Sequence, residues 1–147
     1  MNKGFTFVEI MVVAALIMVL IVMTTIYFTG QNLRVKTFAA EYYLINLSKA
    51  METYYINHNS YPTDLNFLTT ANPKYINLAI CTTEESVGEF KGYQYTCEEI
   101  NEYSYRINAR PHLNQGNACW QLTVGGILSR KNYNKNTGAC EGEWQTP

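Results

Sequence analysis

At 147 residues with a formal net charge of −1, the chain has room for one modest domain and no surplus of Lys and Arg with which to displace counterions from a polyphosphate. DNA and RNA are therefore not expected as partners of the isolated chain. Its 47% hydrophobic content is ordinary, but the distribution is lopsided: from Phe5 to Phe28 only Thr6, Glu9, Thr24 and Thr25 are polar.

The 24 residues from Phe5 to Phe28 contain neither Pro nor Gly. As a helix they would run about 36 Å, enough to cross a hydrocarbon core of about 30 Å. The unbroken apolar run from Ile10 to Met23 is followed by no small-x-small cleavage site, so removal after the run, as in a secretory signal, is not expected. Lys3 precedes the segment and Arg34 and Lys36 follow it, so charge bias does not fix an orientation. Glu9 is the anomaly. An ionised side chain at a membrane helix centre costs about 2.5 to 3.5 kcal/mol, and an intramembrane acid points to function, against the plainer reading of a carboxylate that snorkels to the headgroups or is protonated.

The run Lys3-Gly4-Phe5-Thr6-Phe7-Val8-Glu9, followed by a long apolar helix, resembles the processing motif of type IV prepilins and of the related pseudopilins of type II secretion. The resemblance implies cleavage after Gly4 by a prepilin peptidase on the cytoplasmic side, N-methylation of the new terminal Phe5, and a four-residue leader, residues 1–4, of type IVa kind. It also implies a role for the acid: Glu9 would meet the freed α-amino group of an adjacent subunit and set register during assembly, which compensates a charge in an apolar core. One departure is that many relatives carry Pro where this chain has Ile26, so a proline kink is not expected and Gly30 is the nearest weak point.

After Gly30 helical spacing resumes. Leu44, Leu47, Met51, Tyr54, Tyr55 and His58 form an apolar stripe, with Glu41, Asn46, Lys49, Glu52 and Thr53 largely elsewhere. Asn57 to Pro62 is a helix-ending signal, so one helix is expected from about Phe5 to about Asn59. The stretch from Tyr54 to Pro62 also resembles the helix exit of pilins. A short helix capped by Thr63 is expected next, broken at Asn72-Pro73. From Gly92 the period becomes two. Tyr93, Tyr95 and Cys97 make one row; Tyr103, Tyr105, Ile107 and Ala109 a second; Trp120, Leu122 and Val124 a third. Gly125-Gly126 joins the last row to Ile127-Leu128 as a hairpin. Three to four antiparallel strands should cover the helix stripe, giving an α+β fold: a pilin-like lollipop, with a small antiparallel sheet packed on the second half of a long helix.

Cys81, Cys97, Cys119 and Cys140 form no C-x-x-C pair, and His58 and His112 are not at ligand spacing from them, so a zinc site is not expected. Two disulfides in an oxidising compartment are, with three pairings open. Pairing of sequence neighbours around loops favours Cys81 with Cys97 and Cys119 with Cys140; the second pair also resembles the disulfide-bounded C-terminal loop of pilins. His112 follows Pro111 with no obvious acid partner, and His58 reads as packing or capping. A single Asp, Asp64, with Glu141 and Glu143 makes a poor cation cage, so no metal and no cofactor are expected. No catalytic arrangement stands out, which argues against an enzyme. The twelve tyrosines fall mostly at packing positions. Acids from Glu84 to Glu102 precede bases from Arg106 to Lys135; this reads as a solvated surface or, alternatively, as complementary faces of stacked subunits.

The expected organisation is a leader at 1–4, a membrane-spanning or filament-core half-helix at 5–30 and a periplasmic or extracellular body at 31–147. The expected function is a subunit of a type IV pilus or pilus-like filament. It would be held in the inner membrane before assembly and would engage the peptidase/methyltransferase, an inner-membrane assembly platform and other pilin subunits, of the same or mixed kind. A type II secretion pseudopilin is the alternative, and a single-pass anchored binding or enzymatic domain the alternative of another class.

Overall fold

The computed structural model describes residues 6–113 and 115–146, leaving out the side chains of residues 25–30. The chain divides into two compact units, one running through Asn32 and the other beginning at Leu33. Helix α1 (Phe7–His58) provides the first and opens the second. Its backbone is helical through Ile26 and Gly30.

In the second unit α1 buries Thr37, Ala40, Leu44, Leu47, Ala50 and Met51, a stripe at steps of three, four and one. Leu44, Leu47 and Met51 are the expected packing residues, whereas Tyr55 and His58 are exposed beyond the sheet's cover. The helix stops where expected: Asn59 adopts a left-handed φ of 55°, and its N–H donates to Tyr55 O at 2.7 Å, a short-polar-residue cap. Helix α2 (Asn66–Thr70) lies a little later than anticipated. Asp64, not Thr63, anchors its start, its Oδ1 accepting from Asn66 N at 2.8 Å.

The sheet has six strands where three to four were expected: β1 (Val87–Phe90), β2 (Tyr93–Ile100), β3 (Tyr105–Pro111), β4 (Ala118–Thr123), β5 (Ile127–Asn134) and β6 (Ala139–Gln145). They pair antiparallel in sequence order as a meander. The strands anticipated from alternation are those with a buried row, Tyr93, Tyr95 and Cys97 on β2 and Tyr105, Ile107 and Ala109 on β3. Tyr103 is not in that row. Asn101 Oδ1 accepts from the N–H groups of Tyr103 and Ser104 at 2.9 and 2.8 Å, making a turn that leaves the Tyr103 ring 84% exposed. Strand β6 has no fully buried residue, and so no alternation to reveal it. The β4–β5 hairpin turns at Gly125-Gly126, both at positive φ, as their sequence requires.

Polar contacts tie helix to sheet. Thr37 Oγ1 accepts from Asn117 N at 3.2 Å and bonds the Tyr93 hydroxyl at 3.0 Å. Glu52 is drawn into the fold although its place in the helical pattern suggested a solvated side chain. The hydroxyls of Tyr61 and Tyr105 both donate to its Oε1, at 3.1 and 3.0 Å. Disulfides join Cys81 to Cys97 and Cys119 to Cys140.

Burial raises the pKa of the Tyr43 hydroxyl to about 12 and also raises those of Tyr93, Tyr95, Tyr105 and Tyr61, the last two further through Glu52. The folded chain thus holds phenol protons that the unfolded chain releases near pH 10. Stability should be insensitive to these groups below that point and fall as pH rises from about 10 towards 12. Phenolate absorbance should accordingly rise together with the loss of circular dichroism, not ahead of it, for this buried set. Replacing Glu52→Ala leaves two hydroxyls short of their acceptor and should cost about 1–3 kcal/mol in urea unfolding; an unchanged midpoint would show that water takes the place of the carboxylate.

Candidate functional site

Gly4 and Phe5 lie outside the described residues, so the structure bears on the amino-terminal site from Thr6 onward. Thr6 stands just before α1 and caps it. Its carbonyl accepts from Glu9 N at 3.1 Å and Ile10 N at 3.3 Å, and its Oγ1 lies a long 3.4 Å from Glu9 N. Thr6-Phe7-Val8-Glu9 is the T-x-x-E pattern of a capping box, a local signal that reading the acid only as an intramembrane charge passes over. Glu9 falls in the first helical turn, where unpaired backbone N–H groups favour a negative charge. Its side chain is exposed in the single chain.

From Thr6 to Thr24 every side chain is exposed, including Phe7 at 77% and Met18 at 67%. A helix apolar on all sides, with none of its window Phe7–Thr24 buried, is long and apolar enough to cross a membrane. Its polar interruption is self-satisfied: Thr24 Oγ1 lies 3.0 Å from Leu20 O and 2.9 Å from Ile21 O, so its hydroxyl proton has acceptors within the helix.

The other residues singled out from sequence are committed locally. His58 stacks on Tyr54 with ring centroids 4.0 Å apart, and its Nδ1 is 3.0 Å from Tyr54 O. His112 does have an acid partner, contrary to expectation: Nδ1 is 2.8 Å from Glu89 Oε2, because the His112 N–H donates to Gly92 O in the β1–β2 turn and so brings the residue beside the end of β1 that carries Glu89. Asp64 holds the start of α2, and Glu141 Oε1 accepts from Asn134 Nδ2 at 2.8 Å and Thr137 Oγ1 at 3.1 Å in the β5–β6 turn. Among the described residues no three His, Cys, Asp or Glu side chains converge as a metal site. Among the described residues the acidic and basic segments form an ion pair at Arg106, whose Nη2 is 3.3 Å from Glu99 Oε2.

A capped, wholly apolar amino-terminal helix bearing an acid in its first turn, ahead of a helix-backed antiparallel meander, is the α+β architecture of a pilin-like chain. Residues 1–25 match the family model described as the prokaryotic N-terminal methylation motif, which is the prepilin signature of type IV pilins and pseudopilins. No curated protein matches the chain.

The apolar surface of residues 7–24 leads to a direct test. The full chain should resist alkaline extraction from membranes and be released by detergent. Leu16→Lys, which places a charge at mid-segment, should shift it toward the soluble fraction because it costs about 2.5–3.5 kcal/mol of insertion free energy. Equal retention of the variant would mean that the segment is not held across the hydrocarbon core.

Proposed function

We propose that the chain is a non-enzymatic subunit of a type IV pilus or related filament, cleaved after Gly4, methylated at Phe5 and assembled through its apolar helix. The observation that carries this reading is the conjunction of the methylation motif at residues 1–25 with an uncovered apolar helix that has Glu9 in its first turn. Before assembly the helix anchors the chain in the inner membrane, with residues 31–147 on the periplasmic side, where oxidation closes the Cys81–Cys97 and Cys119–Cys140 bridges. Drawn out of the lipid by an assembly platform, the helix must bury its surface against sister helices, in a filament of one or mixed subunits. Cleavage leaves a free α-amine at Phe5, and Glu9 of an adjacent subunit is its counter-charge.

A type II secretion pseudopilin fits the same amino-terminal chemistry. The disulfide-closed carboxy-terminal hairpin and the poor cation cage favour the pilus. Intact-mass and amino-terminal analysis of the mature chain should find methyl-Phe5; an intact Met1 would point instead to an anchored domain of another kind.

Capping and charge pairing make different demands on Glu9. A Gln side chain can serve in a capping box but carries no charge. Glu9→Gln should therefore insert and be processed normally yet incorporate into filaments as poorly as Glu9→Ala, at least about tenfold below the parent, a difference of 1.4 kcal/mol. Recovery of incorporation in Glu9→Gln alone would assign the residue to the helix cap and remove the intersubunit role.

A further inference from the structure

Strand β6 does not continue the sheet as a flat edge. Cys119 on β4 and Cys140 on β6 are separated by β5, so a flat sheet would hold their Cα atoms at least about 9.5 Å apart, two strand spacings. They are 6.0 Å apart. A register break on β5 between Arg130 and Asn132 accompanies this curl, which brings β6 towards the sheet face opposite α1. Between them lies a hollow of about 300 Å³, at the lower end of the usual ligand-site range, bounded by Trp144, the Cys119–Cys140 bridge and the side chains of Thr96, Glu98, Asn108 and Arg110.

The polar groups at this hollow are oriented by their cross-strand neighbours and left with bonding capacity. Arg110 Nε donates to Gln94 Oε1 at 2.7 Å, which fixes the guanidinium and leaves its two amino groups. Asn108 Oδ1 accepts from Gln121 Nε2 at 2.9 Å, which leaves the Asn108 amide N–H₂ to donate. Glu98 is the extra residue of a bulge in β2 between Cys97 and Glu99, and no ion pair engages it among the described residues. Lys131 Nζ sits 4.5 Å from the centroid of the Trp144 ring and holds the indole in place.

Donors from Arg110 and Asn108, an acceptor at Glu98 and an indole wall select among ligands. A phosphate or sulfate would meet the Glu98 carboxylate, and a flat hydrocarbon would leave the guanidinium and amide unpaired. A pyranose meets both demands: its hydroxyls donate and accept along one edge, and its C–H face lies on an aromatic ring. We infer that this hollow binds one sugar residue of a glycan, with Trp144 as the stacking wall and Asn108, Arg110 and Glu98 as the hydroxyl partners. The inference rests on the sheet alone and is independent of filament assembly.

The test uses the full chain in a detergent without a sugar headgroup, titrated with the methyl glycosides of galactose, glucose and N-acetylglucosamine and followed by tryptophan fluorescence and calorimetry. Trp120 also borders the hollow although it is 3% exposed, so Trp144→Phe, which leaves Trp120 as the one remaining tryptophan, separates the two contributions to the fluorescence response. At least one glycoside should give a saturable response with a dissociation constant on the order of 1 mM. Trp144→Ala and Asn108→Ala should each weaken it at least about tenfold with circular dichroism unchanged, while Trp144→Phe, which keeps a ring, retains calorimetric binding. The inference is overturned if none of the three saturates by about 100 mM. It is equally overturned if binding is indifferent to Trp144→Ala, or if inorganic phosphate produces the same response and Arg110→Lys removes it.

Discussion

Residues 10–23 present apolar side chains in every direction around the helix axis, so contact with a neighbour on one side would still leave the others in water. Only an environment that surrounds the helix removes that surface: lipid, or several other helices at once. Under the proposed function the same property serves both an anchored precursor and a polymer core. What differs between the two environments is the treatment of polar groups. Thr24 keeps its hydroxyl within reach of carbonyls of its own helix and is indifferent to the change. Glu9 is not, because its side chain is exposed and its charge must be met by whatever surrounds it.

The second unit answers a different problem, a thin core. One helix stripe and one face of a meander supply the buried residues, among which three tyrosines, Tyr93, Tyr95 and Tyr105, are the largest side chains wholly removed from water. Each brings a hydroxyl into the interior. Tyr93 bonds Thr37 and Ala118 O, and Tyr105 bonds Glu52 while accepting from Gly126 N at 3.2 Å. These contacts fix the sheet's register against the helix more specifically than apolar packing alone, since a one-residue slip would separate the pairs. The disulfides hold the segments with least burial: Cys81–Cys97 pins the loop ahead of β1, and Cys119–Cys140 pins β6.

Burial decided what the sequence could disclose. Helix α1 and strands β2, β3 and β4 bury one face each, and that face imprinted a period on the apolar residues. β1 and β6 bury little, so their pairing partners, not their own side chains, make them strands. The β5–β6 turn did leave a trace in Asn134 to Gly138, where Asn134 Oδ1 accepts from Asn136 N at 2.9 Å and Gly138 has a φ of 67°. The role of Glu52 was hidden because its hydroxyl partners come from positions 61 and 105, the second of them far along the chain. The hollow under β6 was hidden for the same reason: it depends on a curl between strands, which no single segment encodes.

Glu9 has one physical support in its own helix turn and, under the proposed assembly, a second in a neighbouring subunit, and they act at different ranges. The backbone N–H groups of the turn and the Thr6 cap make a negative charge welcome locally, which reduces the cost of carrying it into an apolar setting. Those groups belong to the same chain, however, and are equally present in a lone subunit and in a polymer. They cannot favour one over the other. In the proposed assembly, an α-amine released by cleavage and carried by another copy reaches Glu9 only when two subunits are placed in one particular stagger. The helix end makes the charge tolerable, and in that proposed assembly a partner's new terminus would make its position informative.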